Sequence, residues 1–129
     1  MPIENEWREP KPQERLVLER MLSQPFVGRD ALLAQLSGAS VKTIDEDGSL
    51  SIKVTAGAPA GIPIRVPVTA HTEDVDGMWM ELLLHVVNGR LHELEIWRGD
   101  LAPVKRWPSA SNLELAPLDP ILLPERSDG

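Results

Sequence analysis

The chain has no cysteine, no tyrosine and one phenylalanine in 129 residues. The missing cysteine excludes disulfides and thiol chemistry and fits a reducing compartment. Aromatic recognition is left to the four tryptophans, Trp7, Trp79, Trp97 and Trp107. No apolar run approaches the ~18 residues of a membrane span. The first twenty residues are charged and proline-containing, without the apolar stretch of a signal peptide. A cytoplasmic protein is expected, with no membrane partner. Basic residues are also few, 13 against 20 acidic, for a net charge of −7. That argues against nucleic-acid binding, which wants a basic stripe. An acidic surface suits a basic partner, although acidity of this size also simply keeps a protein soluble.

Specific catalytic motifs are absent too. There is no Gly-x-Ser-x-Gly elbow for a serine nucleophile and no His-Glu-x-x-His pair for zinc. The GAPAG segment, Gly57–Gly61, lacks the lysine and following helix of a phosphate loop. Asp45–Gly48 and Asp74–Gly77 resemble calcium loops only in their first residues. The position that needs a bidentate glutamate holds Val54 in one and Leu83 in the other. Both read as turns. Arg98-Gly99-Asp100 likewise reads as a strand-ending turn rather than an adhesion tripeptide. No cofactor is called for.

What is present is clear periodicity. Pro12 suits the first turn of a helix. Gln13–Ser23 carries Leu16, Val17, Met21 and Leu22 at helical spacing, and Asp30–Leu36 carries Leu32, Leu33 and Leu36. From Val41 the period changes to two. Val41–Ile44 and Leu50–Val54 flank the first Asp-x-Asp-Gly turn, and Ile64–Ala70 is followed by the second. Asn88-Gly89 then joins Met78–Val87 to a strand ending near Arg98. The tail after Asp100 is punctuated by prolines. It offers Leu113–Leu115 as a short edge strand and a disordered end over Pro124–Gly129. The expected fold is α+β, one domain over 1–129 with its core at about 12–100. Two N-terminal helices pack on one face of an antiparallel meander of about five strands.

The Asn88-Gly89 turn decides which residues meet. A two-residue loop would set Leu82 and Leu84 against Glu95 and Glu93. A three-residue loop, Val87-Asn88-Gly89, keeps the aliphatic set together by pairing Leu82 with Leu94 and Met80 with Ile96. The same loop at Val75-Asp76-Gly77 pairs Ala70 with Leu82 and Val68 with Leu84. The inner face is then Val66, Val68, Ala70, Met80, Leu82, Leu84, Val86, Leu94 and Ile96. The outer face carries the rows His71–Glu81–Glu95, Thr69–Leu83–Glu93 and Pro67–His85–Leu91, with Trp79 opposite Trp97.

Imidazole and carboxylate are ordinary ligand types, so His71, Glu81 and Glu95 could hold a metal. Ordinary polar residues on a solvated face have the same pattern. Paired glutamates could also serve glycoside hydrolysis, but that needs a deep cleft. The two tryptophans point elsewhere. Left open, they form an apolar patch of the kind that marks an interface. Otherwise the tail, with Trp107 and Leu113–Leu118, folds back over them, an outcome favoured because the tail needs somewhere to pack.

The segments ERLVLERML, FVGRDALLAQL, VKTIDEDGSLSI, DVDGMWMELLLHV and GRLHELEIWRGD together resemble a family of small bacterial domains of unassigned function, over roughly Glu14–Asp100. The resemblance implies an autonomous two-helix-plus-sheet domain. It implies, too, the kind of domain found among uncharacterised bacterial proteins, some of them neighbours of toxin–immunity loci. It assigns no catalytic residue.

The expected function is a non-enzymatic protein-binding module, an immunity-type inhibitor or assembly subunit. It would use Trp79, Trp97, Glu81, Glu93, Glu95, His71 and His85 against a protein partner. The alternatives are a metal-binding protein or metal-dependent enzyme on the same face, and a homodimer that hides the tryptophans.

Overall fold

The computed structural model describes residues 1–124, so most of the Pro124–Gly129 end lies outside the described residues. Two helices come first, α1 over Pro12–Met21 and α2 over Arg29–Leu36. Pro12 opens α1 where no backbone N–H is needed, and Glu14 accepts the Lys11 amide at 2.8 Å, satisfying a donor that the helix leaves orphaned. Gly28 leads into α2 at φ +86°, in the left-handed region that a side chain avoids.

The inward stripes differ from the expected ones at a few positions. Leu16 is 56% exposed, and Leu18, absent from the expected stripe, is fully buried beside Val17, Met21 and Leu22. In α2, Leu33 is 40% exposed and Gln35 takes an interior place. Glu14 begins the α1 stripe, in the first turn, and its burial is tolerated because Arg8 reaches both of its oxygens at 2.7 and 3.0 Å. Apolarity alone gives no hint that a glutamate and a glutamine belong inside.

Six antiparallel strands follow: β1 (Ser40–Thr43), β2 (Leu50–Lys53), β3 (Val68–Glu73), β4 (Trp79–Val87), β5 (Arg90–Arg98) and β6 (Glu114–Leu115). Their spatial order is β1-β2-β5-β4-β3-β6. The expected α+β class holds. The simple meander does not, because β2 pairs with β5 instead of β3. The long connection between β2 and β3 carries the chain across the sheet. Pro63 and Pro67 lack the N–H groups a ladder needs, which delays β3 to Val68. The short strand expected near Leu113–Leu115 is β6, paired to β3 through Ala70–Leu115 and His71–Glu114.

The β3–β4 register is the expected one, with Ala70 opposite Leu82 and Val68 opposite Leu84. The β4–β5 register is not. Leu82 faces Ile96 and Leu84 faces Leu94, two residues along from the expected pairs. The Asn88-Gly89 loop has two residues, both at positive φ (53° and 73°), as a type I′ turn requires. A β-bulge then leaves His92 without a partner between the pairs Val86–Leu91 and His85–Glu93. The bulge supplies the one-residue correction that the longer loop was expected to make. Leu91 consequently turns inward and is buried, not outward beside His85.

One core runs from Val17 to Leu122 and takes in the tail residues Val104, Leu113 and Leu122. The tail is held by both Asp-x-Asp-Gly turns. Asp47 accepts the Val104 amide at 2.8 Å, Asp74 accepts those of Lys105 and Arg106 at 2.7 and 3.0 Å, and the Trp107 indole donates to Gly48 O at 3.0 Å. Further on, Val27 N–H donates to Leu122 O at 2.8 Å. At the other end of the chain, Arg8 and Val41 exchange backbone hydrogen bonds along the outer edge of β1. Both sheet edges therefore carry a strip of chain.

Candidate functional site

Strand alternation puts every polar candidate on the face opposite the helices. Across β3, β4 and β5 the rows are Glu73–Trp79–Gly99, His71–Glu81–Trp97 and Thr69–Leu83–Glu95, followed by the pair His85–Glu93. His71 and Glu95 therefore do not share a row, and the expected His71–Glu81–Glu95 ligand set is not assembled. The two-residue change in register separates them.

His71 instead meets Glu114 on β6, Nε2 to Oε2 at 2.9 Å, with both side chains more than half exposed. Glu95 meets His85, Oε1 to Nε2 at 2.8 Å. Ligand atoms of His85, Glu93 and Glu95 all lie within 4.8 Å of one another, a spacing that a metal could use. The hydrogen bonding does not favour one. A metal-bound imidazole normally donates its second N–H to an acceptor. Here Arg65 Nε donates to His85 Nδ1 at 3.0 Å, which leaves Nε2 as the proton carrier toward Glu95. Arg65, His85 and Glu95 read as a hydrogen-bonded Arg–His–Glu chain, with Glu93 beside it.

Trp79 and Trp97 are diagonal neighbours, with ring centroids 5.1 Å apart in an edge-to-face arrangement at 64°. Trp79 lies over Gly99, where a Cβ would come within 2.5 Å of its indole nitrogen, and it stays 44% exposed. Gly99 is thus kept for space. Trp97 is half-buried, and the described part of the tail is seated on the turns and against the helices, with Asn112 and Glu114 bordering the same cleft as Trp79. Glu81 stands between the two tryptophans, opposite Trp97 and two residues from Trp79. Partial burial pushes its carboxyl upward against the favourable pull of His71. It makes no ion pair within 4 Å among the described residues.

Two polar clusters that sequence reasoning missed are structural. Arg98, 3% exposed, is gripped by Asp74 (2.8 Å), Asp76 (3.0 Å) and Asp100 (2.9 Å). The Arg98-Gly99-Asp100 tripeptide is therefore consumed by the fold. Near the N-terminus, Arg8 joins Glu4 and Glu14. At the far end of the outer face, Trp7 takes the ammonium groups of Lys42 and Lys53 at 4.7 and 4.8 Å from its ring centre. The clefts nearest these residues are shallow. One of about 510 Å³ is lined by His71, Glu73, Trp79, Asn112 and Glu114.

The fold and face define a small α+β domain whose polar clusters mostly satisfy themselves and whose outer sheet face carries a partly exposed tryptophan pair beside acidic residues. Residues 7–108 match the family described as Domain of unknown function (DUF6984), and the chain belongs to it. That span is longer at both ends than the Glu14–Asp100 region expected, and it includes Trp7 and the tail residues that dock on the turns. No curated protein and no solved structure matches the chain. Among the described residues no helix is long and apolar enough to cross a membrane.

Proposed function

We propose that this chain is a non-enzymatic protein-binding module that holds a basic protein partner on the outer sheet face, as an immunity-type inhibitor or an assembly subunit would. The observation that carries the reading is the Trp79–Trp97 pair on the outer face, with Trp79 44% exposed and Trp97 half-buried beside it. A tryptophan with this exposure is a typical interface anchor, and Glu73 and Glu81 supply negative charge beside the pair. The acidic face would speed encounter with a basic partner more than it would tighten the complex. Shallow clefts and paired histidines lend support to binding over catalysis.

The test is titration of the full chain against candidate basic proteins at two salt concentrations. Trp97→Ala should weaken binding by at least about tenfold, as truncation of a central anchor does. Glu95→Lys should slow association and reduce its salt dependence. A complex indifferent to both changes would overturn the reading. Sedimentation of the free chain at micromolar concentration separates this from self-association, since a dimer that masks the tryptophans would occupy the same face.

A further inference from the structure

We propose that Trp79 and Trp97, together with Glu73 and Glu81, form the seat for a single arginine side chain of the basic partner. The inference rests on the protein-binding reading and narrows it to one contact.

The sheet face itself shows what its tryptophans do beside cations. Trp7 carries two lysine ammonium groups of its own chain, at 4.7 and 4.8 Å. Trp79 and Trp97 have no such cation among the described residues, yet two glutamates adjoin them. Glu73 lies directly across from Trp79, and Glu81 lies directly across from Trp97. Side chains so placed on neighbouring strands are about 5 Å apart at Cβ. An electron-rich indole with carboxylates on two sides is complementary to a cation.

Nearby positive groups are already committed. His71 is turned to Glu114, Arg65 to His85, and Arg98 is buried under the turn with its three aspartates. Glu81 is half-sheltered, so its negative charge is costly where it stands, and an incoming cation would relieve that cost. Arginine fits better than lysine. Its planar guanidinium stacks on an indole while its N–H fork reaches carboxylates at the rim, whereas an ammonium offers neither the plane nor the fork. Gly99 lets the Trp79 ring lie low against the sheet, and that ring stays 44% exposed.

The experiment uses the full chain, isotope-labelled, titrated with hexa-arginine and separately with hexa-lysine while the four indole N–H signals and the backbone amides are followed by NMR. Hexa-arginine is expected to move the Trp79 and Trp97 indole signals and to leave that of Trp107 in place. Glu81→Gln and Trp79→Leu should each weaken hexa-arginine binding about threefold or more, the size of one exposed cation–π contact. Hexa-lysine should bind more weakly by a similar factor. An unchanged Trp107 signal certifies that each variant is folded, and Glu81→Gln tests the seat should Trp79→Leu disturb the strand.

Shifts confined to amides around Glu93 and Glu95 would overturn the arginine seat and leave the protein-binding reading standing. Equal affinity for the two peptides would overturn the choice of arginine. No shift anywhere on the outer face would overturn the seat and count against the wider reading as well.

Discussion

Replacing Gln35 by methionine should cost about 3 kcal/mol of stability, and the reason lies in one amide. Gln35 is 2% exposed and bridges three backbone groups. Its Nε2 donates to Ala58 O at 3.0 Å and to Gly89 O at 2.8 Å, and its Oε1 accepts from Leu91 N at 3.0 Å. Methionine has nearly the same length and fills the same space, so little cavity forms. Ala58 is exposed, and water can replace the lost donor there. Gly89 O keeps the Ala60 N–H at 2.7 Å and loses only a second bond, worth about 1 kcal/mol. Leu91 N–H has no substitute. It sits beyond the last β2–β5 pair, Ser51–Glu93, where Gln35 stands in for the strand that has ended. A buried amide left unpaired costs about 1–3 kcal/mol. Urea unfolding followed by circular dichroism should show the sum, and the melting temperature should fall by about 10 °C for a domain of this size. Hydrogen exchange at the Leu91 amide should accelerate with it. A variant within about 0.5 kcal/mol of the parent would refute the argument that this amide depends on Gln35.

Truncation after Asp100 should unfold the domain. It removes Val104, Leu113 and Leu122 from the core, and at roughly 1.5–3 kcal/mol per buried side chain that rivals a typical total stability; circular dichroism of the shortened chain decides. Leu18→Ala should cost about 2–5 kcal/mol while Leu16→Ala costs under about 1, a contrast measurable by urea midpoints. Stability should also fall in acid. Arg8 holds the Glu4 carboxyl at about 2 against an ordinary 4.5, and Arg98 holds Asp100 at about 2 against 3.8 and keeps Asp76 low too. Burial pushes Asp74 up, but the amides of Lys105, Val75 and Arg106 and the Arg98 guanidinium outweigh it. Carboxyls lowered by folding stabilise above their ordinary values, and that contribution drains away as pH falls from about 4.5 toward about 2. Urea midpoints between pH 7 and pH 2 should show this decline, and Asp100→Asn should flatten it.

The strands, the two helices and the turn at Asn88-Gly89 were legible because each has a local cause, whether a period, a cap or a residue that tolerates positive φ. The sides of the sheet were legible too, since alternation sorts Met80, Leu82 and Leu84 from Glu81 and His85 wherever their partners lie. The pairing across β4 and β5 was not. Hydrophobic pattern constrains only the parity of a register, and the unpartnered His92 restores that parity while shifting every pair beyond it by two residues from expectation. That shift moved Glu95 away from His71 and toward His85. The interior Glu14 and Gln35 escaped notice because their burial depends on partners outside their own helices, Arg8 just before α1 for one and Leu91 on β5 for the other. The tail's place was hidden for a similar reason. A proline-rich stretch has no period, and its anchors are the carboxylates of turns more than thirty residues earlier.

The strips of chain on the two sheet edges have a consequence for how the domain behaves among its neighbours. An open edge is a template for another strand, and sheets left bare at a side tend to join. Here Arg8 closes the β1 side by its backbone pair with Val41, and β6 closes part of β3. Proteolytic nicking near Arg8 or within the tail would therefore do more than loosen the fold. It would give the molecule an adhesive border and turn a discrete particle into a building unit for polymers.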